Sequence, residues 1–153
     1  MKQVTTRVIT PRSPEEVYAY LVDFDNQAEW RFDVLASELT GGETGRTGAR
    51  YRQRVKQGRK EIDSEVELTE AEPHRRVAFR TVDDGPVTVS GAWRIEPQGD
   101  QTRIDADVAI QPHGFVKLFE PMMGPSLSKT AARYEAALAE RLGGTADKED
   151  PKP

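Results

Sequence analysis

Between residues 34 and 110 apolar and polar side chains alternate with a period of two, and on both sides of that stretch the period becomes helical. The β-branched run Val4 to Ile9 predicts a first strand. After it, Ser13 reads as a helix N-cap, Pro14 suits the first helical position, and Glu16 completes a capping box. Val17, Leu21 and Phe24 recur at helical spacing, so a helix is expected over 14–22 and a second, short one over 26–30. A strand over 34–39 and a glycine-punctuated loop follow. Pro112-His113-Gly114 ends the alternating region. Leu118, Phe119, Met122 and Met123 form an apolar helical turn that Gly124-Pro125 is expected to break. From Ser126 a long amphipathic helix carries Leu127, Ala131, Tyr134, Leu138 and Leu142 on one stripe, with Gly143 as its C-terminal cap.

Two hairpins can be registered from sequence. Arg50, Arg52, Arg54 and Lys56 alternate with Tyr51, Gln53 and Val55, while Glu61, Asp63, Glu65 and Glu67 alternate with Ile62, Ser64, Val66 and Leu68. A two-residue turn at Gly58-Arg59 sets Lys56 opposite Glu61, Arg54 opposite Asp63, Arg52 opposite Glu65 and Arg50 opposite Glu67. Matched signs make this a solvated, charge-laddered sheet face rather than a phosphate-binding patch. Further on, Val87, Val89, Gly91, Trp93 and Ile95 share one face, as do Thr102, Ile104, Ala106, Val108 and Ile110. Pairing Glu96 with Gln101 would put Gly91 opposite Ala106 and Trp93 opposite Ile104. Two small residues would then meet mid-sheet, permit bending and leave volume unfilled. Residues 144–153 are polar and nearly devoid of apolar side chains, and a disordered tail is expected there.

Composition narrows the functional classes. The 153 residues fit one domain, taken as 1–143, with a net charge of −4 and no cysteine. Disulfides and thiolate chemistry are excluded, and the acidic balance argues against a nucleic-acid partner. Met1 to Thr10 holds no apolar signal core and no apolar run approaches membrane-spanning length, so a cytoplasmic chain without membrane insertion is expected. A homodimer is compatible with all of this. Of the two histidines, His74 falls in a turn and His113 between the last strand and the helix, with no ligand spacing between them; no metal, cofactor or catalytic residue is assigned. The inward polar side chains are Tyr51, Gln53, Ser64, Thr81 and Tyr134, a set without an evident charged acid or base.

The element order is that of an α+β domain in which a curved antiparallel sheet of about seven strands wraps a long C-terminal helix, with two short helices after the first strand. Ser13-Pro14-Glu15-Glu16-Val17-Tyr18, Trp30, Pro73-His74-Arg75-Arg76-Val77-Ala78-Phe79 and Gly91-Ala92-Trp93 resemble the SRPBCC superfamily, the START-like and birch-pollen-allergen-like group, and within it the bacterial polyketide cyclase/dehydrase branch. The resemblance implies the helix-grip fold and a cavity between sheet and helix. By alternation its lining is expected to comprise Tyr51, Gln53, Ser64, Val66, Phe79, Thr81, Val89, Gly91, Trp93, Ile104 and Ala106 from the sheet. Trp30 and Phe32 are expected to close one side, and Phe115, Phe119, Met122, Met123, Leu127 and Tyr134 to come from the C-terminal segment. Such walls suit a small apolar or aromatic molecule with one or two polar groups, a lipid, quinone or polyketide-like compound. The alternatives are a cofactor-independent polyketide cyclase, aromatase or dehydratase, and a co-chaperone-like partner-binding module.

Overall fold

A computed structural model of the chain describes residues 2–83 and 85–147. Its strands are β1 (Lys2–Thr10), β2 (Val34–Gly41), β3 (Arg50–Gln57), β4 (Lys60–Glu72), β5 (Arg76–Thr81), β6 (Val87–Gln98), β7 (Gln101–Pro112) and β8 (Thr145–Asp147). Its helices are α1 (Pro14–Val22), α2 (Gln27–Trp30) and α3 (Glu120–Arg141), with single 3₁₀ segments at Phe24–Asn26 and Gly114–Phe119. The strands form one antiparallel sheet in the order β2-β3-β4-β5-β6-β7-β1-β8. None of the helices among the described residues is long and apolar enough to cross a membrane.

Local signals act as expected at the start of the chain. The Ser13 hydroxyl accepts the Glu16 backbone N–H at 3.2 Å and the Glu16 carboxylate returns to that hydroxyl, capping α1 at the predicted residue. Val17, Leu21 and Val22 of α1 are buried, and Phe24 just beyond it is fully buried against Tyr51, Phe79 and Trp93. These residues plug one end of the curved sheet.

The β3–β4 hairpin has the expected register. Gly58, at φ 59°, starts a two-residue turn, and Arg50, Arg52, Arg54 and Lys56 stand opposite Glu67, Glu65, Asp63 and Glu61. Arg54 lies outside and contacts Asp63 and Glu61 at 3.2 and 3.3 Å. The β6–β7 register differs from expectation by two residues. The turn is the tight pair Gly99-Asp100, with Gly99 at φ 64°, so Gln98 stands opposite Gln101 and Glu96 opposite Arg103. A shift of two keeps every side chain on its face, but Gly91 now faces Val108 and Trp93 faces Ala106.

Two further expectations fail in the C-terminal segment. Gly124-Pro125 does not break the helix: Pro125 lies inside α3 and costs it one backbone hydrogen bond, while the stripe of Leu127, Ala131 and Leu138 stays buried. The tail does not start disordered. Gly143, at φ 67°, donates to the Glu140 carbonyl and Gly144 to that of Ala139, a Schellman turn that reverses the chain. Gly144 then packs so closely on the Ile9 carbonyl that no side chain fits, and Thr145–Asp147 pairs with Arg7–Ile9 as β8. Strand pairing uses backbone groups, so the polar composition that suggested disorder does not oppose it. Residues 148–153 lie outside the described residues.

Gly91 has a specific packing role. A Cβ built there would sit 2.6 Å from the Phe79 ring and 3.0 Å from the Asp107 carbonyl oxygen. The space left by Gly91 is therefore taken by Phe79. Gly91→Ala is expected to lower stability by about 1–3 kcal/mol through overpacking, measured as the change in free energy of urea unfolding; an unchanged midpoint would show that the ring is free to move. Reversal of one exposed ladder charge, Arg54→Glu, should by contrast change stability by no more than about 1 kcal/mol in the same assay.

Candidate functional site

The concave face of the sheet and α3 enclose a cavity of about 480 Å³. Trp30, Gln53, Ser64, Val66, Phe79, Thr81, Val89, Trp93, Ile104, Ala106, Phe119, Met122, Met123, Leu127 and Tyr134 line it, as the alternation and the helical stripe predicted. Phe119 and Met122 are more than half exposed and sit at its mouth. Four expected residues do not line it. Tyr51 is fully buried below the cavity against Phe24, its hydroxyl 3.5 Å from that of Thr44. Gly91 is covered by the Phe79 ring. Phe115 points to solvent with 88% of its surface exposed. Phe32 lies outside, stacked on the outer face of Tyr134 at 5.1 Å and covered in turn by the Arg133 guanidinium 3.6 Å above its ring.

Several inward polar groups are satisfied within the protein. The Gln53 amide donates to Gln27 and to Ser37 at 2.9 and 3.3 Å. The Ser64 hydroxyl donates to Asp83 at 2.9 Å, and the Thr81 hydroxyl accepts the Val89 backbone N–H at 2.9 Å. These hydroxyls are committed to the loop and strand beside them.

Sequence reading missed the charged groups of the cavity. Arg31 and Asp33, in the short connection between α2 and β2, both line it. The Arg31 guanidinium lies 3.2 Å from the Asp33 carboxylate, 3.1 Å from the Tyr134 hydroxyl and 3.1 Å from the Gln27 amide oxygen. Tyr134 donates its own proton to Asp33 over 2.5 Å. The connection is held from both sides: the Arg31 N–H bonds the Gln27 carbonyl, and the Asp33 carbonyl accepts the Lys56 N–H at 2.7 Å. The Trp30 ring, edge-on to both Trp93 and Tyr134, fixes where the next residue falls. The expectation of an inward face without a charged group is thus overturned. Alternation assigns an inside and an outside only to strand residues, and Arg31-Phe32-Asp33 is a turn. A charged pair flanking an aromatic directly after Trp30 was the available signal.

Burial opposes the charge of Arg31, yet Tyr134 and Asp33 outweigh it and raise the arginine pKa above its ordinary value. Burial, reinforced by the Asp33 charge and opposed by that of Arg31, pushes the Tyr134 phenol up to about 12. At neutral pH the guanidinium is therefore cationic and the phenol neutral. A carboxylate in a mostly apolar cavity can hold or accept a proton, and the guanidinium can stabilise negative charge on an oxygen beside it. The histidines lie apart: His113 Nε2 is 2.7 Å from the Thr88 hydroxyl, and exposed His74, at φ 64°, meets the Tyr18 ring edge-on.

A family model described as polyketide cyclase / dehydrase and lipid transport matches residues 1–143. No curated protein sequence matches the chain. Among solved structures it is similar to a protein from Thermus thermophilus, with 21% identity, a TM-score of 0.74, and 92% of this chain and 96% of that one covered. A START superfamily protein from Mycobacterium smegmatis is 16% identical with a TM-score of 0.74, over 94% of this chain and 98% of that one. The di-domain ARO/CYC protein BexL of the BE-7585A biosynthetic pathway is 16% identical with a TM-score of 0.66, over 90% of this chain and 46% of that one. At these identities the likeness is one of fold: the curved sheet gripping a C-terminal helix.

The raised phenol couples stability to alkaline pH. Tyr134 ionises near 10 when unfolded and near 12 when folded, so folding favours its neutral form. That contribution is complete below pH 10 and is lost as pH rises from 10 to 12. The thermal midpoint should fall over this interval, and fall less steeply in Tyr134→Phe. An alkaline slope identical in the variant would remove Tyr134 from the account. At neutral pH the same variant should lose about 1–3 kcal/mol, because the partly buried Asp33 carboxylate loses a donor.

Proposed function

Because the chain belongs to the polyketide cyclase / dehydrase and lipid transport family, we propose that it binds a small hydrophobic molecule in the cavity between sheet and α3. The carrying observation is the cavity itself: about 480 Å³, walled mostly by apolar and aromatic side chains, with the Arg31–Asp33 ion pair in its wall at the α2–β2 connection. That volume lies in the range of small-molecule sites. The apolar body of the ligand would rest on Phe79, Trp93, Ile104 and Leu127, and its polar end on Arg31, Asp33 and Tyr134. Lipids, quinones and polyketide-like compounds all have this form.

A second reading is a cofactor-independent cyclase or dehydratase, and the Arg31–Asp33–Tyr134 cluster is what favours it. A carboxylate beside a guanidinium could withdraw a proton next to a ketone while the guanidinium stabilises the enolate oxygen. Binding alone would leave such a substrate unchanged.

Native mass spectrometry of freshly purified protein is expected to reveal a co-purifying molecule, and apolar fluorescent probes should bind and quench Trp30 or Trp93. Ala106→Phe should weaken probe binding at least about tenfold by filling the space opposite Trp93, with little change in stability; in a filled core the same substitution would cost about 1–3 kcal/mol. Marked destabilisation with probe binding intact would count against the cavity as the site. For the second reading, a reactive poly-β-ketone mimic is the substrate to assay. Cyclisation above the uncatalysed rate that is lost in Asp33→Asn establishes catalysis; background rates throughout leave binding as the activity.

A further inference from the structure

We propose that the Arg31–Asp33 pair makes the cavity select a ligand whose polar end is uncharged and carries a hydrogen-bond donor beside an acceptor, as a primary amide does, over one ending in a carboxylate. The inference rests on the cavity-binding reading above and specifies its chemistry.

The cavity-lining residues with ionisable side chains of formal charge are Arg31, Asp33, Asp107 and Glu135 among the described residues. Arg31, the one cation, is already bonded to Asp33, Tyr134 and Gln27. Asp107 is held by the Thr5 hydroxyl and by Arg94, both at 2.7 Å, and Glu135 accepts the Arg7 backbone N–H at 3.0 Å. An incoming carboxylate would find no uncommitted cation and would face Asp33, a like charge in a poorly solvated place. An uncharged head meets no such repulsion.

Arg31 Nε and Asp33 Oδ1 are buried and make no hydrogen bond within the protein. One is a donor and the other an acceptor, and they belong to two groups in direct contact. Buried polar atoms in native proteins are nearly always paired. An amide, which offers a carbonyl oxygen and an N–H side by side, complements both; so does an un-ionised acid or an enolised 1,3-dione. A carboxylate can satisfy Nε alone. Neither atom reaches solvent, so the two side chains must turn slightly to present them.

The test is displacement of a bound apolar dye at pH 8 by three probes that share one ten-carbon acyl chain: decanamide, methyl decanoate and decanoate. In the native protein decanamide should bind at least about tenfold more tightly than decanoate, with the ester, an acceptor only, between them. Since decanoate is costlier to dehydrate in any cavity, the variants carry the distinction. In Asp33→Asn the uncompensated Arg31 should draw decanoate in and shift the amide-to-decanoate ratio at least about tenfold toward decanoate. In Arg31→Gln the amide should weaken while decanoate stays excluded. Should Asp33→Asn fail to fold, Arg31→Gln decides, because an arginine that anchors carboxylates would make decanoate the probe that loses affinity. Dye and probes that bind with no head-group preference, or a ratio unmoved by either substitution, overturn this inference alone. Failure of every probe and of the dye to bind overturns the cavity reading and this one with it.

Discussion

One helix has to cover one face of an eight-stranded sheet, and it is too narrow to do so. Seven inter-strand gaps of about 4.8 Å would make a flat sheet about 34 Å wide, whereas a helix with its side chains is about 10 Å across. The sheet must therefore curl around α3, and the space inside the curl has to be filled by something else. At one end it is filled by α1, the following 3₁₀ turn and α2, through Val17, Leu21, Phe24 and Trp30. Toward the first half of α3 it is not filled, and the cavity lies there. The two ends of the long helix differ accordingly. Its C-terminal part is clamped, with Leu138 and Leu142 buried and the Leu142 carbonyl accepting the buried Thr10 hydroxyl at 2.8 Å. Its N-terminal part carries Met122 and the preceding Leu118 largely exposed.

Against this apolar hollow the Arg31–Asp33–Tyr134 cluster is costly. Charges withdrawn from water lose solvation that their mutual attraction repays only with good geometry and additional hydrogen bonds. Here Gln27 and Tyr134 supply the additional bonds, and Phe32 with Arg133 covers the phenol from outside. An apolar set of equal volume would close the same gap without that cost. Under the proposed function, the charged cluster at the cavity wall, with two polar atoms unpaired, serves the ligand rather than stability.

The surface electrostatics have a different character. The Arg50–Lys56 run and its acidic partners form an exposed ladder, whose pairs contribute little to stability individually but disfavour a slipped hairpin register. Since the cavity-lining Gln53, Val55, Ile62, Ser64 and Val66 alternate with those charges, the ladder also keeps the correct side chains facing inward.

Most of the fold could be read from the chain because its signals are local. The Ser13 cap, the period-two alternation, the charge-matched hairpin and the helical stripe each act over a few residues, and each leads to the observed element. The same alternation named nine of the sheet residues that line the cavity, Gln53, Ser64 and Trp93 among them. Tertiary structure decided the rest, for three physical reasons. Space at a residue depends on what approaches from elsewhere in the chain: Gly91 is filled by Phe79, and Tyr51 lies beneath Phe24. Backbone pairing ignores side-chain polarity, so a polar tail joined the free edge of β1 once a Schellman turn brought it there. Turn residues have no periodic inside or outside, so Arg31 and Asp33 acquired their place only when Trp30 packed on Trp93 and Tyr134 arrived on α3, some hundred residues later in the chain.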